Sequence, residues 1–141
     1  MKHEFVITGP LLSVNKMYAT PRGRSTRRLT VDGKHFKYKV AVLFSETCGP
    51  TELLQGDLVM VINYTFPRDN RDVTNYDKAI LDALKGRAYY DDKQIRVFMA
   101  TKRVEKGSDS AKVTIARLQD VRFLMVDCMD SDLLNTTVSE R

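Results

Sequence analysis

The chain has 141 residues, of which 43% are hydrophobic and 29% charged, with a formal net charge of +5. That length suits one domain with one core, and no apolar run approaches the roughly eighteen residues of a membrane-spanning helix. Lys2, His3 and Glu4 precede a short FVIT run broken at Gly9-Pro10, which is no secretory signal core. Cys48 and Cys128 stand far apart without a CxxC pair; with only His3 and His35 beside them, they argue against a structural zinc site. A soluble protein of the reducing cytoplasm is the expectation.

The charge is uneven. Residues 119–141 carry Arg122 and Arg141 against Asp120, Asp127, Asp130, Asp132 and Glu140, a net −3, so residues 1–118 carry +8. A body this basic suits a polyanion, although charge alone does not separate nucleic acid from a membrane surface. The expected organisation is one domain over residues 1–118, followed by an acidic extension over 119–141 that is partly disordered.

In chain order, Glu4–Thr8 reads as a short strand ended by Gly9-Pro10. Residues 16–39 hold Lys16, Arg22, Arg24, Arg27, Arg28, Lys34, His35, Lys37 and Lys39 against Asp32 alone. Within them RLTVDGKHF resembles a hairpin, because Asp-Gly favours a primed turn. Most basic runs are solvated loops; Tyr18, Phe36 and Tyr38 interleaved with these charges fit a DNA-contacting arm equally well. Phe36, Val40, Leu43, Phe44 and Thr47 have helical spacing, which predicts a helix to about Cys48. Residues 57–66, DLVMVINYTF, alternate apolar positions as a strand, with Val59 and Val61 implying cover on both faces.

A second helix is predicted from Thr74, with Thr74 as N-cap and Asp77 completing a capping box. Tyr76, Ala79, Ile80, Ala83 and Leu84 form its buried stripe, and Gly86 ends it. Ile95–Val104 and Ala111–Leu118 then read as two strands of one antiparallel hairpin, joined through EKGSDS. In the extension, Phe123–Val126 is a single apolar cluster. The element order predicts an α+β domain, a mixed β-sheet with two α-helices packed against it.

The chemistry concentrates between Phe66 and Ile95. Asp72 and Asn75 sit where a loop turns into the helix, Lys78 lies on its first turns, and Asp91 and Asp92 follow its end. Carboxylates converging from both ends of one helix, with a lysine nearby, suit a hard divalent cation acting on phosphate. The plain alternative assigns Asp72 and Thr74 to capping, Asp91-Asp92 to a turn, and Lys78 to a surface ion pair with Asp82.

The order Arg71, Asp72, Asn75, Lys78, Asp82, Ala83, Leu84, Tyr90, Asp91, Asp92, Gln94, Ile95 resembles the RusA family of Holliday junction resolvases. Pro10, Ser13, Asn15 and Tyr18 in PLLSVNKMY are similar to that family's N-terminal P-x-x-S-x-N-x-x-Y pattern. The likeness covers roughly residues 4–118, and the two motifs stand in the family's order. One position departs: the family pattern has D-x-D-N, and here Thr74 stands where a second carboxylate is expected.

The resemblance implies a homodimer that binds four-way DNA junctions and nicks opposing strands, using Mg²⁺, for which Mn²⁺ substitutes. It implies catalytic roles for Asp72, Lys78 and Asp92, and ion binding by Asp72, Asp91 and Asp92. Asn15, Lys16, Arg22, Arg24, Arg27, Arg28, Arg71 and Asn75 form the implied DNA-contacting set. No small-molecule cofactor and no membrane partner is expected. Two alternatives stay open: a DNA-binding protein of the same fold weakened in catalysis by Thr74, and a metal-dependent nuclease acting on flaps or other branched DNA.

Overall fold

In order, the chain forms β1 (Lys2–Thr8), α1 (Val14–Met17), β2 (Tyr18–Ala19), β3 (Arg28–Leu29), α2 (Val31–Cys48), β4 (Leu58–Phe66) and α3 (Thr74–Leu84). A 3₁₀ turn at Asp92–Gln94 then leads into β5 (Ile95–Val104) and β6 (Ser110–Arg117). These come from a computed structural model, which describes residues 2–49 and 52–121. The architecture is the expected α+β domain, a mixed sheet with α2 and α3 as its main helices. Most of the predicted acidic extension, including the Phe123–Val126 cluster, lies outside the described residues. Among those described, no helix is long and apolar enough to cross a membrane.

β4 anchors the core because its alternation places Leu58, Met60, Ile62, Tyr64 and Phe66 on one fully buried face. Burying each such side chain contributes about 1.5–3 kcal/mol. Phe5 and Ile7 of β1 and Val113 and Ile115 of β6 extend the same layer, while Val6 and Thr114 between them face the other side, Val6 exposed and Thr114 half-buried. Phe36, Val40 and Phe44 of α2 and Ala79, Ile80, Ala83 and Leu84 of α3 cover it. The predicted stripe on α3 is thus present, with Tyr76 only half-buried at its start.

The sheet order is β1-β6-β4-β5, which corrects the predicted β5–β6 hairpin. β5 and β6 do run antiparallel to each other, but β4 lies between them, pairing parallel with β5 and antiparallel with β6. The physical reason is burial. β4 is apolar enough to need neighbours on both edges, whereas β5 carries Arg96, Lys102 and Arg103 and leaves Phe98 and Met99 exposed. Charged residues of that kind suit an edge strand.

The hairpin expected in RLTVDGKHF is also absent. Thr30 is the N-cap of α2, its hydroxyl oxygen accepting the Gly33 N–H at 3.0 Å, so Asp32 and Gly33 lie inside the first helical turn. Gly33 is required there by packing: a Cβ would collide with the Met17 carbonyl oxygen and sit 2.9 Å from the Leu29 side chain. A short ribbon does form nearby, with Tyr18 opposite Leu29 and Ala19 opposite Arg28. It closes the loop that carries Arg22, Arg24 and Arg27, all exposed.

Candidate active site

The candidate residues gather at the two ends of α3. At the N-terminal end, Asp72 Oδ1 accepts the Thr74 N–H at 3.1 Å and the Thr74 hydroxyl at 2.9 Å. Val73 is therefore the N-cap, not Thr74 as predicted, and the Thr74–Asp77 capping box does not form because Asp77 turns inward to Tyr64. The Asn75 N–H donates to the Asp72 carbonyl at 3.1 Å, so Asn75 braces the same loop. Arg71 does not project freely. Its guanidinium bonds Asp109 Oδ1 at 2.8 Å and lies over the Phe66 and Tyr76 rings, at 5.3 and 5.6 Å.

Gly86, at φ +80°, turns the chain away one residue after the C-cap Lys85. The chain returns through Tyr89, whose hydroxyl donates to the Leu81 carbonyl at 2.7 Å. Burial pushes the Tyr89 hydroxyl well above its ordinary range, and the nearby carboxylates of Asp92, Asp82 and Asp91 push it further. Asp91 caps the 3₁₀ turn. Its Oδ1 accepts the Lys93 N–H at 3.0 Å, while Gln94 Oε1 accepts the Tyr90 and Asp91 N–H groups at 2.8 and 2.9 Å. That backbone hydrogen bond, then a side-chain hydrogen bond with Asp92 and the charges of Lys85 and Lys93, hold the Asp91 carboxyl below its ordinary value. Asp92 is the first residue of the turn and shares a side-chain hydrogen bond with Asp91. Asp91 Oδ2 faces Lys85 Nζ at 3.9 Å.

Asp82 belongs to the motif but not to the candidate site residues. It accepts the Tyr18 hydroxyl at 2.8 Å, which ties α3 to the ribbon that carries the arginine loop. Burial and this bond raise the Tyr18 hydroxyl to about 12. The Lys78–Asp82 ion pair does not form, and among the described residues the exposed Lys78 ammonium has no partner. Its place in the motif, one turn before Asp82, is the only signal linking the two. Arg27 lies over the Tyr18 ring at 5.4 Å, and Asn15 and Lys16 are exposed on α1.

The donor chemistry fits a hard cation of the Mg²⁺ kind, which takes oxygen ligands and often only one or two carboxylates. The geometry divides those donors. The eleven residues of α3 span about 16 Å at 1.5 Å per residue, so one chain does not bring Asp72 to Asp91 and Asp92. Among the described residues, no three His, Cys, Asp or Glu side chains come close enough to hold one ion.

A search of curated proteins returns no match for the chain. The family model described as Endodeoxyribonuclease RusA matches residues 9–116. The chain belongs to the RusA family. Membership places the protein among endodeoxyribonucleases of the Holliday-junction-resolving type. The match spans both motifs, from Pro10 through Ile95, and the whole of β4, α3 and β5.

Proposed function

We propose that the protein is a Mg²⁺-dependent resolvase that acts as a homodimer on four-way junctions, cutting opposing strands by paired nicks. The observation that carries this reading is the division of the carboxylates between the two ends of α3. A second copy related by a two-fold axis can set the Asp72 end of one chain against the Asp92 end of the other, twice in each dimer. Two such composite sites match a junction's own two-fold symmetry, and paired nicks need paired sites.

Asp72 and Asp92 would hold the ion, with Asp91 fixing the turn that presents Asp92. When bound, the ion supplies Lewis-acid polarisation of the scissile phosphate. Lys78, exposed one turn inside α3, would bind a phosphate oxygen and stabilise the charge that builds on it. Asn75 holds the Asp72 loop in place. Arg22, Arg24, Arg27 and Arg28, with Asn15 and Lys16, would track the DNA backbone, while Arg71, held by Asp109, presents its remaining edge to a neighbouring phosphate.

The test is cleavage of a synthetic four-way junction with Mg²⁺ or Mn²⁺, beside a linear duplex and a flap of the same sequence. Symmetric nicks confined to the junction are expected. Faster cutting of the flap, or binding of the junction with no cutting at any ion concentration, would overturn the reading.

A further inference from the structure

A cleft of about 390 Å³ opens between the first turns of α2 and the chain that follows α3. Lys34, Lys37, Lys85 and Arg87 line it against one carboxylate, Asp82, whose Oδ2 already accepts the Tyr18 hydroxyl. Tyr38 lines the same cleft with 73% of its surface exposed. Among the described residues, its ring makes no hydrogen bond and no ring contact. Helical spacing explains the grouping, because Lys34, Lys37 and Tyr38 stand at i, i+3 and i+4, beside the buried stripe of Phe36, Val40 and Phe44. Lys85 also reaches Asp91 Oδ2 at 3.9 Å, so the cleft adjoins the candidate active site.

Core packing does not use this tyrosine. With Lys85 facing Asp91 and Asp82 engaged by Tyr18, the charges of Lys34, Lys37 and Arg87 stay unneutralised by any described residue in the cleft. The pairing of a flat, unengaged ring with clustered positive charge matches the two halves of a nucleotide. We infer that the cleft receives one unpaired nucleotide beside the cut, its phosphate among Lys34, Lys37 and Arg87 and its base stacked on Tyr38. This assignment rests on the junction-resolvase reading and deepens it. Bases inside a linear duplex are already stacked on their neighbours, whereas a branch point offers a base that can be splayed out. Stacking on an aromatic side chain tolerates any base and changes affinity by about fivefold to more than a hundredfold. Tyr38 is therefore a specificity residue that favours opened over continuous DNA.

The test measures binding of the full chain, in chelator to prevent cutting, to three probes: a junction with 2-aminopurine at the branch point, a single strand and a linear duplex. The parent should quench the 2-aminopurine. Tyr38→Ala should lose the quenching and bind junction and single strand about tenfold more weakly, with duplex affinity and melting temperature unchanged. Tyr38→Phe keeps the ring and should restore both signals. Lys37→Ala should lower the salt slope by roughly 0.7 on the single strand. Retained quenching in Tyr38→Ala, or an equal loss on all three probes, would overturn the assignment. A parent that binds the single strand through Tyr38 but neither prefers nor cuts junctions would leave the cleft as assigned and overturn the resolvase reading instead.

Discussion

The Tyr64 hydroxyl donates to Asp77 Oδ1 at 2.6 Å, joining the buried face of β4 to the first turn of α3. Burial holds the Asp77 carboxyl above its ordinary value, Asp72 adds to the rise, and the Tyr64 bond opposes it. A carboxyl whose folded pKa is raised binds its proton more tightly when folded, so its contribution falls as pH climbs from the unfolded value through the folded one. Asp77→Asn keeps an oxygen for Tyr64 and removes the charge. The variant should melt above the parent at pH 7, and the gap should close towards pH 3. Thermal unfolding at the two pH values checks this, and a parent that is the more stable at pH 7 would contradict it.

Thr74 donates two hydrogen bonds to one oxygen of Asp72 and holds that carboxylate in place. Thr74→Asp keeps the N–H bond, loses the hydroxyl donor and sets a second carboxylate beside the first. Without a cation the two repel, so the variant should melt lower than the parent. Added Mg²⁺ should raise its melting temperature more than the parent's, and junction cutting should saturate at a lower Mg²⁺ concentration. Equal Mg²⁺ dependence in both proteins would show that position 74 does not face the ion.

Asp72→Asn and Asp92→Asn should each fall at least a hundredfold in cutting while still binding junctions, since each removes a charge that holds the ion. If the sites are composite, a mixed dimer of the two variants contains one site with both aspartates intact. Mixing the two inactive proteins should then restore single nicks. If mixing restores nothing although heterodimers form, each site is built within one chain.

The arginine loop is expected to serve binding rather than chemistry. Arg22, Arg24 and Arg28 have no ion-pair partner among the described residues, and Arg27 rests on the Tyr18 ring. Replacing Arg24, Arg27 and Arg28 by Ala should weaken junction affinity and flatten the log–log salt dependence by roughly 0.9 for each phosphate that the variant no longer neutralises. An unchanged slope would show that these arginines do not touch phosphate.

Short-range patterns were legible without coordinates. The two-residue alternation of Leu58–Phe66 and the stripe Ala79, Ile80, Ala83, Leu84 state their own elements, because each depends only on which side chains recur on one face. The motif from Arg71 to Ile95 pointed to α3 and its two ends through its resemblance to the RusA pattern. The convergence of Asp72 with Asp91 and Asp92 that the sequence suggested is not formed within one chain, because α3 holds its two ends about 16 Å apart.

Tertiary structure decided what local pattern leaves degenerate. Asp32-Gly33 suits a hairpin turn as well as a first helical turn, and in the fold Thr30 caps the Gly33 N–H and starts α2 there, with Met17 packed too close for any side chain at position 33. β5 and β6 are consecutive and oppositely directed, yet the burial demand of β4 placed it between them. Asp82 had Lys78 one turn away, but the tyrosine that bonds it is 64 residues distant in sequence. Strand adjacency and side-chain pairing across the fold depend on which surfaces exclude water together, and that is a property of the assembled core rather than of any one segment.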